Sequence, residues 1–394
     1  MRTGAISIIL SLVPSVRPVA QILLPELTGP HAIGLTHLEL IDYARPDPLG
    51  DGSSSEPRDL MVTLLYPTID SSTFSSTLAP QFSPATATFI DELLDLTPGT
   101  AVSLTTRARL DLPIANPDTS PVVLFSHGFG FTRGLYTALL SDLASWGWIV
   151  VAIDHPHDAG LVEYPDGRIV RAGDWSWPLD ADLREMLLEL RVADILFVFE
   201  QLGDSATMNR LLSMNEGTAA QVALKAQCPL PGPSLPALNV SSVAALGHSF
   251  GGAAAVQAMT NLSAIVAAAD LDGFLYGPVV RSGTDKAVCV LGFPEHFATD
   301  DPDAAPGWPG LKGWKRDFTV TGTVHESFSD YAVFADLLGN QGPDVGTVKG
   351  TRMVEILRTY VGAFFSKFML GIDDGEFLND SSTEFTEVSL RRSS

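Results

Sequence analysis

The sequence predicts an α/β fold with a mostly parallel central sheet flanked by helices on both faces. Three observations predict it. From Pro121 onward, short apolar runs alternate with longer segments of helical spacing, the rhythm of strand–helix crossovers. Runs such as Val122 to Phe125 and Trp148 to Ile153 are apolar at consecutive positions, as strands buried on both faces are. The stretch Ala244-Ala245-Leu246-Gly247-His248-Ser249-Phe250-Gly251-Gly252-Ala253 carries an apolar run through Gly-x-Ser-x-Gly into small helix-forming residues. That pattern is a strand turning sharply into a helix with a serine at the tip.

The elements follow in chain order. Residues 1–20 carry a secretion-signal pattern: Arg2 at the start, apolar Ala5 to Val13, and Pro18-Val19-Ala20 as a small-residue cleavage site. The apolar stretch is too short to span a bilayer. Leu38 to Ile41 and Met61 to Tyr66 read as strands, the second ending at Pro67. Asp47 to Pro57 reads as a loop, and residues 68–87, rich in Ser, Thr and Pro, as a surface excursion. Leu135 to Trp146 and Asp182 to Leu202 have helical spacing. Ser205 to Pro236 is irregular, a lid or an insertion. Val243 to Leu246 is the strand before the serine and Phe250 to Met259 the helix after it. Ala264 to Ala269, Ala287 to Leu291 and Asp317 to Val320 are further strands, and Met353 to Leu370 is a closing amphipathic helix. The chain reads as a signal peptide (1–20), one catalytic domain (21–370) and a polar, disordered tail (371–394).

Composition bounds the function. Of 394 residues, 45% are hydrophobic and 18% charged, which describes a well-cored globular chain. A net charge of −22 argues against nucleic acid and against firm docking on anionic membranes, and leaves other lipid surfaces open. Cys228 and Cys289 form one disulfide in a secreted chain or stay as thiols in a reducing compartment.

The turn at Ser249 is a nucleophile elbow, the signature of an α/β-hydrolase. A serine there needs a neutral imidazole and a carboxylate to orient it, in the chain order serine, acid, histidine. Of eight histidines only His296 and His325 follow the elbow. His325 sits in the loop after the last strand, where the base belongs, and is preferred. For the acid, Asp270, Asp272, Glu295 and Asp300 all stand after suitable strands. Period-two alternation places Asp270 and Asp272 on the same side of an extended segment, so the pattern leaves the four open. Charge developing on the substrate carbonyl calls for backbone donors. Phe250 N–H follows the nucleophile, and Phe129 N–H is offered by the glycine-rich loop Ser126-His127-Gly128-Phe129-Gly130. Asp154-His155-Pro156-His157-Asp158 has the residue types of a metal cluster, but ester hydrolysis by this apparatus requires no metal and no cofactor, so none is assigned.

Together these segments resemble the platelet-activating-factor acetylhydrolases, serine esterases of the α/β-hydrolase type. The resemblance rests on Leu124 to Gly130 with Leu135-Tyr136 and Asp142 to Gly147, on Gly247 to Ala253, on Asp270-Leu271-Asp272-Gly273, and on Gly322-Thr323-Val324-His325-Glu326-Ser327-Phe328. Thr28 to Gly34 adds to it, and it spans roughly residues 24–370. It implies Ser249 as nucleophile, Asp272 as acid, His325 as base, and the Phe129 and Phe250 amides as oxyanion hole. It implies a calcium-independent esterase that removes a short or oxidised acyl group from the second glycerol carbon of a phospholipid. Gly273 departs from the family pattern, which has a small residue followed by Trp; Phe274 is expected to supply that aromatic wall. Two rival readings are a general secreted carboxylesterase acting on polyesters or plant esters, and a catalytically silent hydrolase fold that binds lipid. An ester panel separates the first, and fluorophosphonate labelling of Ser249 the second. Phe364, Phe365, Phe368 and Met369 of the last helix read as packing onto the sheet, with transient docking on a lipid surface as the alternative.

Overall fold

The computed structural model describes residues 21–50, 56–68, 77–204, 206, 237–295, 307–340, 343–373, 376–379 and 382–393. The signal pattern, Cys228, His296, Asp300 and all but one residue of the Ser205–Pro236 segment lie outside them.

The strands are β1 (Ile22–Leu23), β2 (Ile33–Pro46), β3 (Pro57–Pro67), β4 (Leu78–Pro80), β5 (Leu104–Leu110), β6 (Val122–Ser126), β7 (Ile149–Asp154), β8 (Leu161–Glu163), β9 (Ile169–Arg171), β10 (Val243–His248), β11 (Ile265–Leu271), β12 (Ala287–Gly292), β13 (Lys315–Val320) and β14 (Val388–Ser393). Twelve of them form one sheet in the order β1-β5-β2-β3-β7-β6-β10-β11-β12-β13-β14, with β4 against β5; β8 and β9 pair separately. From β7 to β13 neighbours run parallel, while β3 meets β7, and β14 meets β13, antiparallel. The main helices are α1 (Pro84–Leu93), α2 (Thr137–Ser145), α3 (Ala181–Leu202), α4 (Phe250–Asn261), α5 (Tyr331–Leu338) and α6 (Gly350–Phe365).

The central strands look uniformly apolar because each side feeds a different core. Val123, Phe125, Ala244, Leu246, Cys289 and Leu291 face one layer with residues of α2 and α6. Val122, Leu124, Val243, Ala245, Val288 and Val290 face the other, with residues of α3 and α4. Helices thus cover both faces, the condition under which parallel strands persist.

Two readings change. Within residues 77–87, the described part of the expected excursion, the chain forms β4 and enters α1, whose Pro84 occupies the first helical turn, where a missing N–H costs nothing. The disordered tail is corrected as well. Glu376–Asn379 is a short helix with buried Leu378, and Val388–Ser393 closes the sheet edge on β13. Arg392 pairs with the buried Asp317, and Arg391 donates to the Phe293 carbonyl, so polar composition here reflects partners across the edge. The last helix packs as expected: Phe364 and Phe365 are fully buried, and Phe368 and Met369 pack on the same core. Cys289 is buried, and among the described residues it has no disulfide partner.

Candidate active site

Ser249 stands between β10 and α4 at φ 56°, ψ −124°, a backbone region hostile to side chains. Its neighbours permit it. A Cβ at Gly247 would lie 2.1 Å from the Gly251 carbonyl oxygen, and one at Gly251 2.1 Å from that of Ser126, so only glycine lets strand, turn and helix close on one another.

His325 opens the 3-10 turn His325–Phe328 after β13. Its Nε2 lies 2.9 Å from Ser249 Oγ. Its Nδ1 bonds Asp272 Oδ2. Asp272 is fully buried, and its second oxygen accepts the Phe293 N–H at 2.9 Å. Burial alone would lower the His325 pKa, but the hydrogen bond and charge of Asp272, helped by Glu326, raise it above its ordinary value.

The four candidate acids separate cleanly where they are described. Asp272 leaves β11 at φ 56°, which breaks the alternation that aligned it with Asp270. The Asp270 carboxyl instead turns inward: Oδ1 accepts the Gly273 N–H at 2.8 Å, and a Cβ at Gly252 would lie 1.8 Å from it. Burial raises its pKa well above the usual carboxylate range. Asp270 accounts for Gly273 too, since a Cβ there would meet Asp270 Oδ1 at 2.4 Å. Glu295 is exposed and lines the same cavity, while the described ring bonds of His325 run to Asp272 and Ser249.

A cavity of about 400 Å³ opens at Ser249. Its wall is aromatic: Phe129, Phe131, Trp177, Phe250, Phe274 and Tyr276. Phe274 takes the wall position expected of it. Among the described residues no acceptor takes the N–H of Phe129 or of Phe250, whereas Gly128 N–H bonds Tyr136 and Gly130 N–H bonds the Asp158 carbonyl. Two unused amides thus sit beside the serine.

Sequence reasoning missed what lies behind the loop. Arg191 of α3 is fully buried and forks onto Asp158, with Nε–Oδ2 and Nη2–Oδ1 both at 2.6 Å. Its Nη1 donates to Ser126 Oγ at 3.1 Å and to the His127 carbonyl, and its guanidinium lies 4.9 Å from the Phe250 ring centroid. Ser126 Oγ meets His155 Nε2 at 2.9 Å, His155 Nδ1 meets Asp194 at 3.0 Å, and Arg58 clasps Asp194 at 2.9 Å. In the stretch Asp154-His155-Pro156-His157-Asp158, Asp154 pairs with Arg133, His155 with Asp194 and Asp158 with Arg191, His157 lies 3.6 Å from Asp47, and the Pro156 carbonyl accepts from Arg58. The available signal was a charge in the wrong place: Arg191 stands four residues after Leu187, on the helix face that the apolar residues assign to the core.

The family profile for platelet-activating factor acetylhydrolase, isoform II, matches residues 19–373. A protein from Arthroderma benhamiae, named a probable 1-alkyl-2-acetylglycerophosphocholine esterase, is 27% identical over 94% of this chain and 94% of its own length. The platelet-activating factor acetylhydrolase of Cavia porcellus is 24% identical over 89% of this chain and 78% of its own. Among solved structures, a ferulic acid esterase from Streptomyces cinnamoneus superposes with TM-score 0.75 at 28% identity, covering 95% of this chain and all of that one. The chain belongs to the platelet-activating factor acetylhydrolase family, isoform II, and is a serine esterase of the α/β-hydrolase fold.

Proposed function

We propose that the chain hydrolyses the short or oxidised acyl ester at the second glycerol carbon of platelet-activating-factor-like phospholipids, through an acyl-enzyme on Ser249. The observation that carries this reading is the hydrogen-bonded line from buried Asp272 through His325 to Ser249 Oγ at the floor of an open cavity. His325 takes the serine proton as Oγ attacks the carbonyl carbon, then gives it to the leaving alcohol. Asp272 holds the proton-bearing Nδ1 side of the ring and stabilises the imidazolium. The Phe129 and Phe250 amides receive the oxyanion. Water, deprotonated by the same imidazole, frees the acid and restores the serine. The activities named for the relatives in Arthroderma and Cavia support the substrate class.

The aromatic wall and the ferulic acid esterase likeness favour a second reading, hydrolysis of esters of aromatic acids by the same residues. Parallel kcat/KM measurements on a short-chain oxidised phospholipid, a feruloyl ester and a nitrophenyl acetate test both. A phospholipid preference supports the first reading; a feruloyl preference overturns it in favour of the second. Loss of all three with Ser249→Ala is required by either.

Two further parts of the reading concern place. The pattern over residues 1–20 supports export, which N-terminal sequencing of protein recovered from culture medium tests. Trp177, 46% exposed at the cavity mouth, supports transient contact with a lipid surface during substrate uptake; sedimentation with zwitterionic vesicles, with and without Trp177→Ser, tests it.

A further inference from the structure

The geometry points to Tyr136 and His248 as positioning residues that bind the oxyanion loop to the loop of the catalytic base. The inference rests on the Ser249–His325 reading above. It starts from a hydrogen-bond chain whose direction follows from the donors and acceptors of a neutral His248 ring. Gly128 N–H donates to Tyr136 Oη at 2.9 Å. Tyr136 Oη lies 2.8 Å from His248 Nδ1. His248 Nε2 lies 3.1 Å from the backbone carbonyl oxygen of His325. A carbonyl only accepts, so Nε2 carries the imidazole hydrogen. Nδ1 of the neutral ring therefore offers a lone pair, and Tyr136 must donate to it. The phenol oxygen, its own hydrogen spent, accepts from Gly128. All three donors point one way, from the amide loop to the base loop, and bonds aligned in this manner polarise one another in a dry interior.

The packing leaves this arrangement little slack. Tyr136 and His248 are 1% exposed. The His248 ring stacks on Phe328 at an interplanar angle of 10° and sits 4.7 Å from the His325 ring. A Cβ added at Gly128 would fall 2.9 Å from His248 Nδ1 and 3.1 Å from Tyr136 Oη. Gly128 precedes the Phe129 amide, and the His325 carbonyl belongs to the residue whose ring faces Ser249. The variable position before the nucleophile is thus filled by a side chain that holds the two moving parts of the reaction in one register. A leucine there would hold neither.

The test uses the full chain and four variants: Tyr136→Phe, His248→Leu, the double variant, and His248→Gln, whose amide offers an acceptor and a donor at similar spacing. Tyr136→Phe keeps the ring and its packing. Its kcat is expected to fall about 10²-fold, the cost of a misplacement near 1 Å, with KM unchanged. His248→Leu should fall equally, the double variant no further than either single, and His248→Gln should recover most of the rate. Independent, multiplying losses in the double variant overturn the inference, as does a glutamine no faster than the leucine. Should His248→Leu fail to fold, wild-type kcat in Tyr136→Phe still refutes it. Ser249→Ala separates the levels: activity without that serine sinks the parent reading, whereas a dead Ser249→Ala beside a fully active Tyr136→Phe sinks only this one.

Discussion

Replacing Arg191 should cost the protein stability and rate by separable routes. The side chains of Arg191 and Asp158 are 1% and 2% exposed, and their two 2.6 Å bonds form a bidentate fork. Taking away either partner leaves the other buried and uncompensated, a loss of about 3–5 kcal/mol. Arg191→Met and Asp158→Leu should therefore each lower Tm by roughly 6–10 °C, at ~2 °C per kcal/mol for a chain of this length. The double variant removes both charges and should regain at least half of that loss. It regains less than all, because Ser126 Oγ and the His127 carbonyl lose a donor, at about 1–3 kcal/mol for a buried polar group. The rate behaves differently. The His127 carbonyl belongs to the peptide entering the amide loop, and Arg191 also lies on the Phe250 ring, so it braces both proposed oxyanion donors from behind. Single and double variants alike should lose about 10²-fold in kcat. Differential scanning calorimetry and steady-state hydrolysis of a nitrophenyl ester give both readouts. A double variant no more stable than the singles refutes the unpaired-charge argument. A double variant with restored kcat refutes the bracing argument.

Asp272→Asn should lower kcat about 10⁴-fold by stabilising the wrong imidazole tautomer. Wild-type kcat/KM should fall as pH drops through the raised His325 pKa, because only the neutral ring takes the serine proton; in Asp272→Asn that limb should move to lower pH. A pH–rate profile with an unmoved limb would remove Asp272 from the role of acid. Burial pushes the Asp330 pKa from the ordinary carboxylate range up to about 7, against backbone donation from Ala138 and Thr137. The folded state then holds a proton that the unfolded state has released, so stability should decline as pH rises from about 4 to 7. Urea titrations of Asp330→Asn should lack that slope. Ending the chain at Gly371 removes buried Leu378, Phe385 and Val388, worth about 5–9 kcal/mol together at 1.5–3 each. That is comparable with the whole stability of a domain, and the truncated chain should be recovered only as aggregate; a soluble, active product would show the β14 edge to be dispensable.

The parts of the site legible in the sequence are those fixed by neighbours in the chain. The Ser249 turn is local: its glycines stand two residues to either side, and their need is steric. The strands of the parallel core were legible because burial on both faces writes a continuous apolar run. Which carboxylate meets His325 was not, because alternation holds only while a strand remains extended, and Asp272 turns away at φ 56°. The edge strand β14 was illegible for a related reason. Its sequence, VSLRRS, is polar, and its order comes from the β13 ladder with Arg391 and Arg392 reaching across it. The buried network around Arg191 joins residues 58, 126, 155, 158, 191 and 194, separations over which no periodicity survives.

Register explains why distant segments meet with hydrogen-bond accuracy at the serine. Gly247 pairs with Asp270 and His248 with Leu271 across β10 and β11, while Leu271 pairs with Leu291 across β11 and β12. The ladder continues one residue beyond the strands. Ser249 N–H bonds the Leu271 carbonyl at 2.8 Å, and Asp272 N–H bonds the Leu291 carbonyl at 2.7 Å. Ser249 and Asp272 are therefore each held by the sheet itself, both at positive φ and both one step past its last paired residue. A slip of one residue between β10 and β11 would reverse the faces of every side chain on the slipped strand, so the two apolar cores enforce the alignment that the chemistry needs. His325 is the exception, carried on a turn rather than on a strand end. It is the member of the three that depends on side-chain supports, and the His248 and Asp272 bonds are where those supports attach.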